Sequence, residues 1–330
     1  MIWQVFIFVD LVVQITYPTK TTVFFELFCK GTPRLFADDT ALFYPDNNVA
    51  SLIGNIESDL IVLSQYFNQN LLSLNIPKTK YMIFHSNRAV IQLHRNPKYS
   101  GQEIEKAENF KYLGILLDNS LSWLPQIKSV ERKVACLCGV MWRVNKFLPR
   151  HVLLKFYYAY IHSHLNYLVS IWGRACKTFL AKIETLQNRC LKIIFNKPLL
   201  YATKELYANR SHNILPVDCL CDLQTLLFVH DILHNRNTHH NLELSTASHL
   251  RVTRQCSNLK RVRASTNLGK KRCTFIGPTK YNLLPSEIKL ITNRNHFKTR
   301  LKQYLKPIAV WFTWLFSLCS AINLNKCRNV

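Results

Sequence analysis

Apolar residues from Asn48 to Asn75 fall at Ile53, Ile56, Leu60, Leu63, Phe67, Leu71 and Leu74. Every step is three or four residues, so the stretch is predicted to be a helix with one buried face. Asn47, Asn48 and Ser51 supply caps at its start, and Pro77 blocks its continuation. Before it, apolar runs at Leu35–Phe36 and Ala41–Tyr44 flank Asp38 and Asp39, which predicts two short strands joined by a tight turn. After it, Tyr81–Phe84 and Tyr112–Leu117 are short and rich in aromatic and branched residues, and both read as strands. Hairpin, helix, strand and strand give an open antiparallel sheet with a helix on one face.

From Pro125 the period becomes helical. Ile127, Val130, Val134, Leu137, Met141, Val144 and Leu148 form one stripe ended by Pro149. Leu154, Tyr157, Ile161, Leu165, Leu168 and Trp172 form a second ended by Gly173, and Phe179, Ile183, Leu186, Cys190 and Ile193 form a third. Three helices with short connections pack as a bundle. Beyond Pro198 the signal weakens to a moderate helical stretch at Leu220–Leu233, followed by a basic segment. The fold class is therefore α+β, mostly α by residue count.

Composition adds a partner class. The 330 residues are 48% hydrophobic and 19% charged, which describes a chain able to bury a core. Forty-three Lys and Arg against nineteen Asp and Glu leave a formal charge of +24, favouring a polyanion such as nucleic acid. The excess concentrates between Arg251 and Lys306, where fifteen basic residues face one acid, Glu287. Arg251, Arg254, Lys260, Arg261, Arg263, Lys270, Lys271 and Arg272 are the candidate phosphate contacts; the bland alternative is a solvated face. Eleven cysteines without the spacing of a disulfide framework point to a reducing, intracellular setting, nucleus or cytoplasm being left open. Cys219, Cys221, His230 and His234 are the nearest approach to a zinc set, but Cys-x-Cys is shorter than the usual ligand gap, and buried thiols are expected instead. Residues 2 to 13 are mostly apolar yet lack a preceding basic residue, which argues against a signal peptide. The apolar run Ile308–Ile322 is shorter than the ~20 residues of a spanning helix, so no membrane partner is expected.

Two adjacent aspartates at a turn are by default a solvated turn. The same geometry also presents hard oxygens that hold Mg²⁺ beside phosphates. Downstream residues decide between these readings. Phe36-Ala37-Asp38-Asp39-Thr40-Ala41-Leu42-Phe43 is followed by Leu74-Asn75-Ile76-Pro77-Lys78-Thr79-Lys80 and then by Phe110-Lys111-Tyr112-Leu113-Gly114. In this order the chain resembles reverse transcriptases, specifically those of jockey-like non-LTR retrotransposons, whose palm carries an FADD or YADD box, an LNxxKT segment and an FKYLG segment. The likeness continues through Leu121-Ser122-Trp123, Tyr157 to Gly173 and Leu186 to Ile194, and more weakly through Tyr281 to Pro285 and Phe297 to Lys302.

The resemblance implies RNA-directed DNA synthesis with an RNA template, a DNA primer or target and two Mg²⁺ ions. It implies Asp38 as metal ligand with Asp39 beside it, Lys78 as proton donor to pyrophosphate, and Phe110, Lys111, Tyr112, Leu113 and Gly114 as the primer grip. For Lys78 the competing reading is a solvated loop lysine, and for Phe110–Gly114 a plain sheet strand. It divides the chain into an unassigned segment 1–33, the second half of a palm at 34–124, a helical thumb at 125–198, a basic region at 199–306 and an unassigned apolar tail at 307–330. It also implies an upstream metal-binding aspartate and a GxPQG-type pocket segment. Asp10 lacks the family's flanking residues, Gly31-Thr32-Pro33 is only an echo of the pocket turn, and Gln126 stands where the family usually has histidine. The expectation is a carboxy-terminal fragment that is inactive by itself; the alternative is a non-catalytic basic nucleic-acid-binding module.

Overall fold

Trp3–Val12 is an almost unbroken apolar run, the pattern of a strand covered on both faces, and it forms the centre of the sheet. The computed structural model describes residues 3–12, 29–36, 39–46, 48–69, 73–85, 95–208, 212–234 and 258–306. The chain divides into two compact units, 1–126 and 127–330. In the first, the strands are β1 (Trp3–Val12), β2 (Thr32–Phe36), β3 (Asp39–Asp46), β4 (Ser73–Leu74), β5 (Lys80–Phe84), β6 (Lys98–Tyr99), β7 (Gln102–Glu103), β8 (Glu105–Lys106), β9 (Asn109–Tyr112) and β10 (Ile115–Asp118). The main sheet runs β2-β3-β1-β5-β8, with β4 also on β1.

The sheet is antiparallel except at its β5–β8 edge, where Lys80 pairs in parallel with Glu105. This departs from the all-antiparallel expectation. The chain between Phe84 and Glu105 is long enough to return to the starting end, as a parallel neighbour requires. Lys80 Nζ also lies 2.9 Å from a Glu105 carboxylate oxygen. A second departure is at Tyr112–Leu117, read as one strand but folded as the hairpin β9–β10, with Tyr112 paired to Ile115. Leu113 and Gly114 form its turn at φ 46° and 79°, the two positive values that match a tight turn to strand twist.

Helix α1 (Val49–Gln69) covers one face of this sheet. Leu52, Ile56, Leu60 and Leu63 pack on Leu42, Tyr44, Tyr81 and Ile83, all fully or nearly fully buried. Each such side chain contributes about 1.5–3 kcal/mol relative to exposure. Asp59 is buried in the same layer and accepts hydrogen bonds from Gly31 N at 2.9 Å and the Tyr44 hydroxyl at 3.0 Å. A Cβ at Gly31 would meet the Tyr44 ring at 2.5 Å, so a packing contact explains that glycine. The opposite face carries Ala41, Met82, Phe84 and Ala107, against which Phe110, Tyr112, Leu117 and Leu121 pack.

Asp118 ends β10 and holds the turn after it. Its carboxylate accepts from Ser120 Oγ at 2.6 Å, Ser122 N at 2.9 Å and Trp123 N at 2.9 Å, in a loop where Leu121 and Trp123 sit at φ 51° and 65°. Burial alone would raise its pKa; these hydrogen bonds outweigh it and hold the group below its ordinary value. A depressed pKa stabilises above the unfolded value and is lost as pH falls through the folded one. Asp118→Asn is therefore expected to cost the first unit about 1–3 kcal/mol at pH 7, from weakened hydrogen bonds. That difference shrinks as pH falls below ~4, where the unfolded carboxylate takes up protons first, and is lost once the folded one protonates as well. Urea unfolding at pH 7 and pH 3 measures it, and an undiminished cost at pH 3 would exclude the charged form as its source. Gln126, the departure from histidine, is buried with its Oε1 accepting from Leu116 N at 3.0 Å, so it anchors β10.

In the second unit, α2 (Leu124–Val144) starts at the boundary and buries Ile127, Val130, Val134 and Met141, the expected stripe. The second stripe does not make one helix to Gly173. Helix α3 (Arg150–Phe156) continues through a π-helical turn at Tyr157–His162 and α4 (Ser163–Asn166), then breaks. Leu168 is left-handed at φ 48°, and α5 (Val169–Trp172) follows it. At the break the Trp172 indole N–H donates locally to Tyr167 O at 2.8 Å, and upstream the fully buried Tyr157 hydroxyl accepts from Gln187 Nε2 at 2.9 Å. The third stripe forms α6 (Lys177–Ile194), and α7 (Thr203–Ala208) and α8 (Val217–Leu233) follow. A helix over 294–306 adds Phe297, Leu301 and Leu305 to the core, with Phe297 stacked on His230 at 4.2 Å. Among the described cysteines all are free thiols, with Cys138, Cys190, Cys219 and Cys221 buried. Among the described residues no helix is long and apolar enough to cross a membrane, and the run Ile308–Ile322 lies outside them.

Candidate active site and basic surface

Phe36 pairs with Asp39 across β2–β3, leaving only residues 37 and 38 to connect the strands, so the tight hairpin expected at this point is present. Asp38 itself lies outside the described residues. Asp39 is the first residue of β3 and half-buried. On its other side β3 pairs with β1, and the register sets Asp10 opposite Asp39 and Phe8 opposite Ala41. Sequence reading gave Asp10 no role because its neighbours differ from the family's. The available signal was its place as the one acid within an apolar strand pattern.

The hairpin β9–β10 lies within electrostatic reach of this carboxylate end. Burial raises the Tyr112 phenol, the negative charge of Asp39 raises it further, and Arg34 opposes both. Phe110 and Tyr112 are half-buried against the sheet, Lys111 is exposed, and the Leu113–Gly114 turn projects from the two strands. A leucine in left-handed backbone costs about 1–2 kcal/mol, so the turn is held by the pairing around it. Lys78 is exposed on the turn between β4 and β5, where Lys78 N and Thr79 N both donate to Asn75 O, at 3.2 and 2.9 Å. Lys80 pairs with Phe8 and Leu74 with Leu11, so this turn stands at the same end of the sheet as Asp10 and Asp39. The three motif segments thus converge on one end of the first unit.

Asp10 and Asp39 stand opposite each other in register, and carboxylate oxygens are the hard donors that Mg²⁺ takes. Among the described residues alone no group of three or more acids, histidines and cysteines forms a metal cluster. That includes the Cys219, Cys221, His230 and His234 set: both thiols are buried, and His230 Nε2 lies 2.8 Å from Ile291 O.

In the second unit, Lys260, Arg261 and Arg263 are exposed along an extended segment, and Lys270, Lys271 and Arg272 are exposed at the end of a short helix. The Thr266 side chain caps that helix by accepting from Gly269 N at 3.0 Å. Arg251 and Arg254 lie outside the described residues. Not every base in the run faces solvent alone: Lys280 and Arg174 pair with Asp222, Arg294 pairs with Asp231, and Lys306 donates to His212 O at 2.7 Å. Composition could not separate these structural cations from the exposed ones.

No family model and no solved structure matches the chain. A probable RNA-directed DNA polymerase from transposon BS of Drosophila melanogaster is 26% identical over 173 residues, 51% of this chain and 19% of that protein. The RNA-directed DNA polymerase from mobile element jockey of the same fly is 24% identical over 175 residues, 52% of this chain and 19% of that protein. A probable RNA-directed DNA polymerase from transposon X-element is 22% identical over 173 residues, again 51% and 19%. The matched stretch therefore spans about a fifth of the length of these relatives. Order of motifs, convergence of the three segments and alignment agree: the homologues of this chain are the jockey-like and other non-LTR transposon RNA-directed DNA polymerases, at low identity over about half its length.

Proposed function

We propose that this chain carries the carboxylate half of a reverse-transcriptase palm, followed by a helical thumb and a basic region, and that within a complete polymerase its carboxylates serve nucleotide addition to a DNA primer on an RNA template. The observation that carries the reading is the register of β1 on β3. It sets Asp10 opposite Asp39 at the mouth of the Asp38 hairpin, and positions opposed in an antiparallel pair share a sheet face. In this reading Asp38, Asp39 and Asp10 supply the metal-holding carboxylates. Bound Mg²⁺ would supply activation of the primer hydroxyl and charge neutralisation on the triphosphate. The primer 3′-hydroxyl would lose its proton to solvent as its oxygen bonds to the α-phosphorus, the bond from that phosphorus to the bridging oxygen of the β-phosphate would break, and Lys78 would give a proton to the departing pyrophosphate and regain one from solvent. Tyr112 and its hairpin position the primer end.

The 330 residues contain no GxPQG-type pocket segment between β1 and β2. The chain alone is therefore expected not to extend a primed RNA with Mg²⁺ and deoxynucleotides, a gel assay with the purified protein being the measurement. Extension abolished by Asp38→Ala would mean that residues 13–31 build a pocket of another kind. A second reading, a basic module that binds nucleic acid without catalysis, is favoured by one observation: six bases from Lys260 to Arg272 are exposed in the second unit.

A further inference from the structure

In the second unit, Arg294 opens the helix over 294–306, and its Nε donates to both carboxylate oxygens of Asp231, at 2.8 and 3.0 Å. Those bonds use one of five N–H groups, and the side chain is 44% exposed, so its two terminal amino groups can face an incoming anion. Beside the pair lies a cleft of about 210 Å³, walled in part by Phe228. Pockets that enclose whole drug-sized ligands run to roughly 300–1,000 Å³, so this one is scaled to a single ring system.

The polar lining is specific. Gln224 Nε2 donates to Asn166 Oδ1 at 2.8 Å. With those atoms engaged, Gln224 keeps its carbonyl oxygen and Asn166 its amino group, an acceptor and a donor side by side. Adjacent acceptor and donor groups complement the hydrogen-bonding edge of a nucleobase, which single-stranded nucleic acid leaves accessible. At the rim stands Leu168, whose left-handed backbone (φ 48°, ψ 29°) is a conformation a leucine keeps only under constraint, and such strain gathers at ligand clamps.

We propose that this cleft receives one unstacked nucleobase of a single strand, its edge on Asn166 and Gln224, its ring within the cleft, and the adjoining phosphate on Arg294. The proposal rests on the nucleic-acid reading above and names a subsite for it. An aromatic side chain of a protein partner would find the wall but leave the amide pair and Arg294 without a match.

The test is fluorescence anisotropy with the full 330-residue protein and two labelled strands of equal length, one bearing bases and one abasic throughout. The base-bearing strand is expected to bind about tenfold tighter, the scale of one stacked and hydrogen-bonded base. The double variant Asn166→Leu, Gln224→Leu should erase that ratio and leave the salt dependence of both strands unchanged. Equal binding of the two strands by the wild-type protein would overturn the proposal without any variant having to fold. A nucleoside monophosphate that binds as tightly as the strand would overturn the strand assignment. No binding of either strand at low salt would instead defeat the nucleic-acid reading on which the proposal rests, whereas salt-dependent binding with a ratio of one defeats the cleft alone.

Discussion

With the pocket segment of a matched relative inserted between β1 and β2 in place of residues 13–28, so that Asp10 and both strands are kept, RNA-templated primer extension is expected to appear, and Asp38→Ala to return it to background. Loss of a metal ligand removes the centre that lowers the cost of developing charge on both reacting oxygens. Lys78→Ala is expected to lower the rate only about a hundredfold, the contribution of a positioned proton donor for which water is a poor substitute. Asp39→Ala should fall between these two, since its half-buried carboxylate shares the hairpin and also acts on Tyr112. Single-turnover rates separate the chemical step from binding. Small and equal effects of Asp38→Ala and Lys78→Ala in an active fusion would mean that the site lies elsewhere.

The second large effect is on affinity. If the six exposed bases from Lys260 to Arg272 each neutralise one phosphate, binding should weaken about 10³-fold between 50 and 200 mM salt. Changing Lys270, Lys271 and Arg272 to glutamine should halve the logarithmic slope, leaving a loss of about 40-fold over the same range. Anisotropy titrations across salt give both numbers, with little dependence on sequence expected. An unchanged slope in the triple variant would move the binding surface to other helices and leave this segment as a solvated face. Point variants are required here, because removing the whole basic region would also take Phe297, Leu301 and Leu305 out of the core.

What the sequence made legible was periodic or local. The α1 stripe carried its own register, and the Asp38–Asp39 hairpin followed from turn chemistry and two short apolar runs. Position 10 was opaque for a different reason. Its role in the sheet depends on pairing with β3 and β5, and no local pattern encodes which strands a central strand will join. The break at Tyr167–Leu168 was hidden as well, since a continuous apolar stripe ran through it and neither the left-handed Leu168 nor the bond from the Trp172 indole to Tyr167 O leaves a mark in that pattern. Among the basic residues, sign was legible and partnership was not: Arg294 and Lys270 look alike in composition, yet one is tied to Asp231 and the other is exposed.

The central place of β1 also governs how the first unit assembles. Phe8 is hydrogen-bonded territory between Ala41 and Lys80, partners 33 and 72 residues away along the chain. Both closures are non-local, so loop entropy is lost before either pairing rewards it, and such topologies fold slowly. Until β1 is captured, β3 and β5 each present an open edge, the kind of surface on which strands from other molecules dock. The same strand that sets Asp10 against Asp39 is thus the one that closes the facing edges of β3 and β5, and a chain in which it is unpaired is exposed to aggregation.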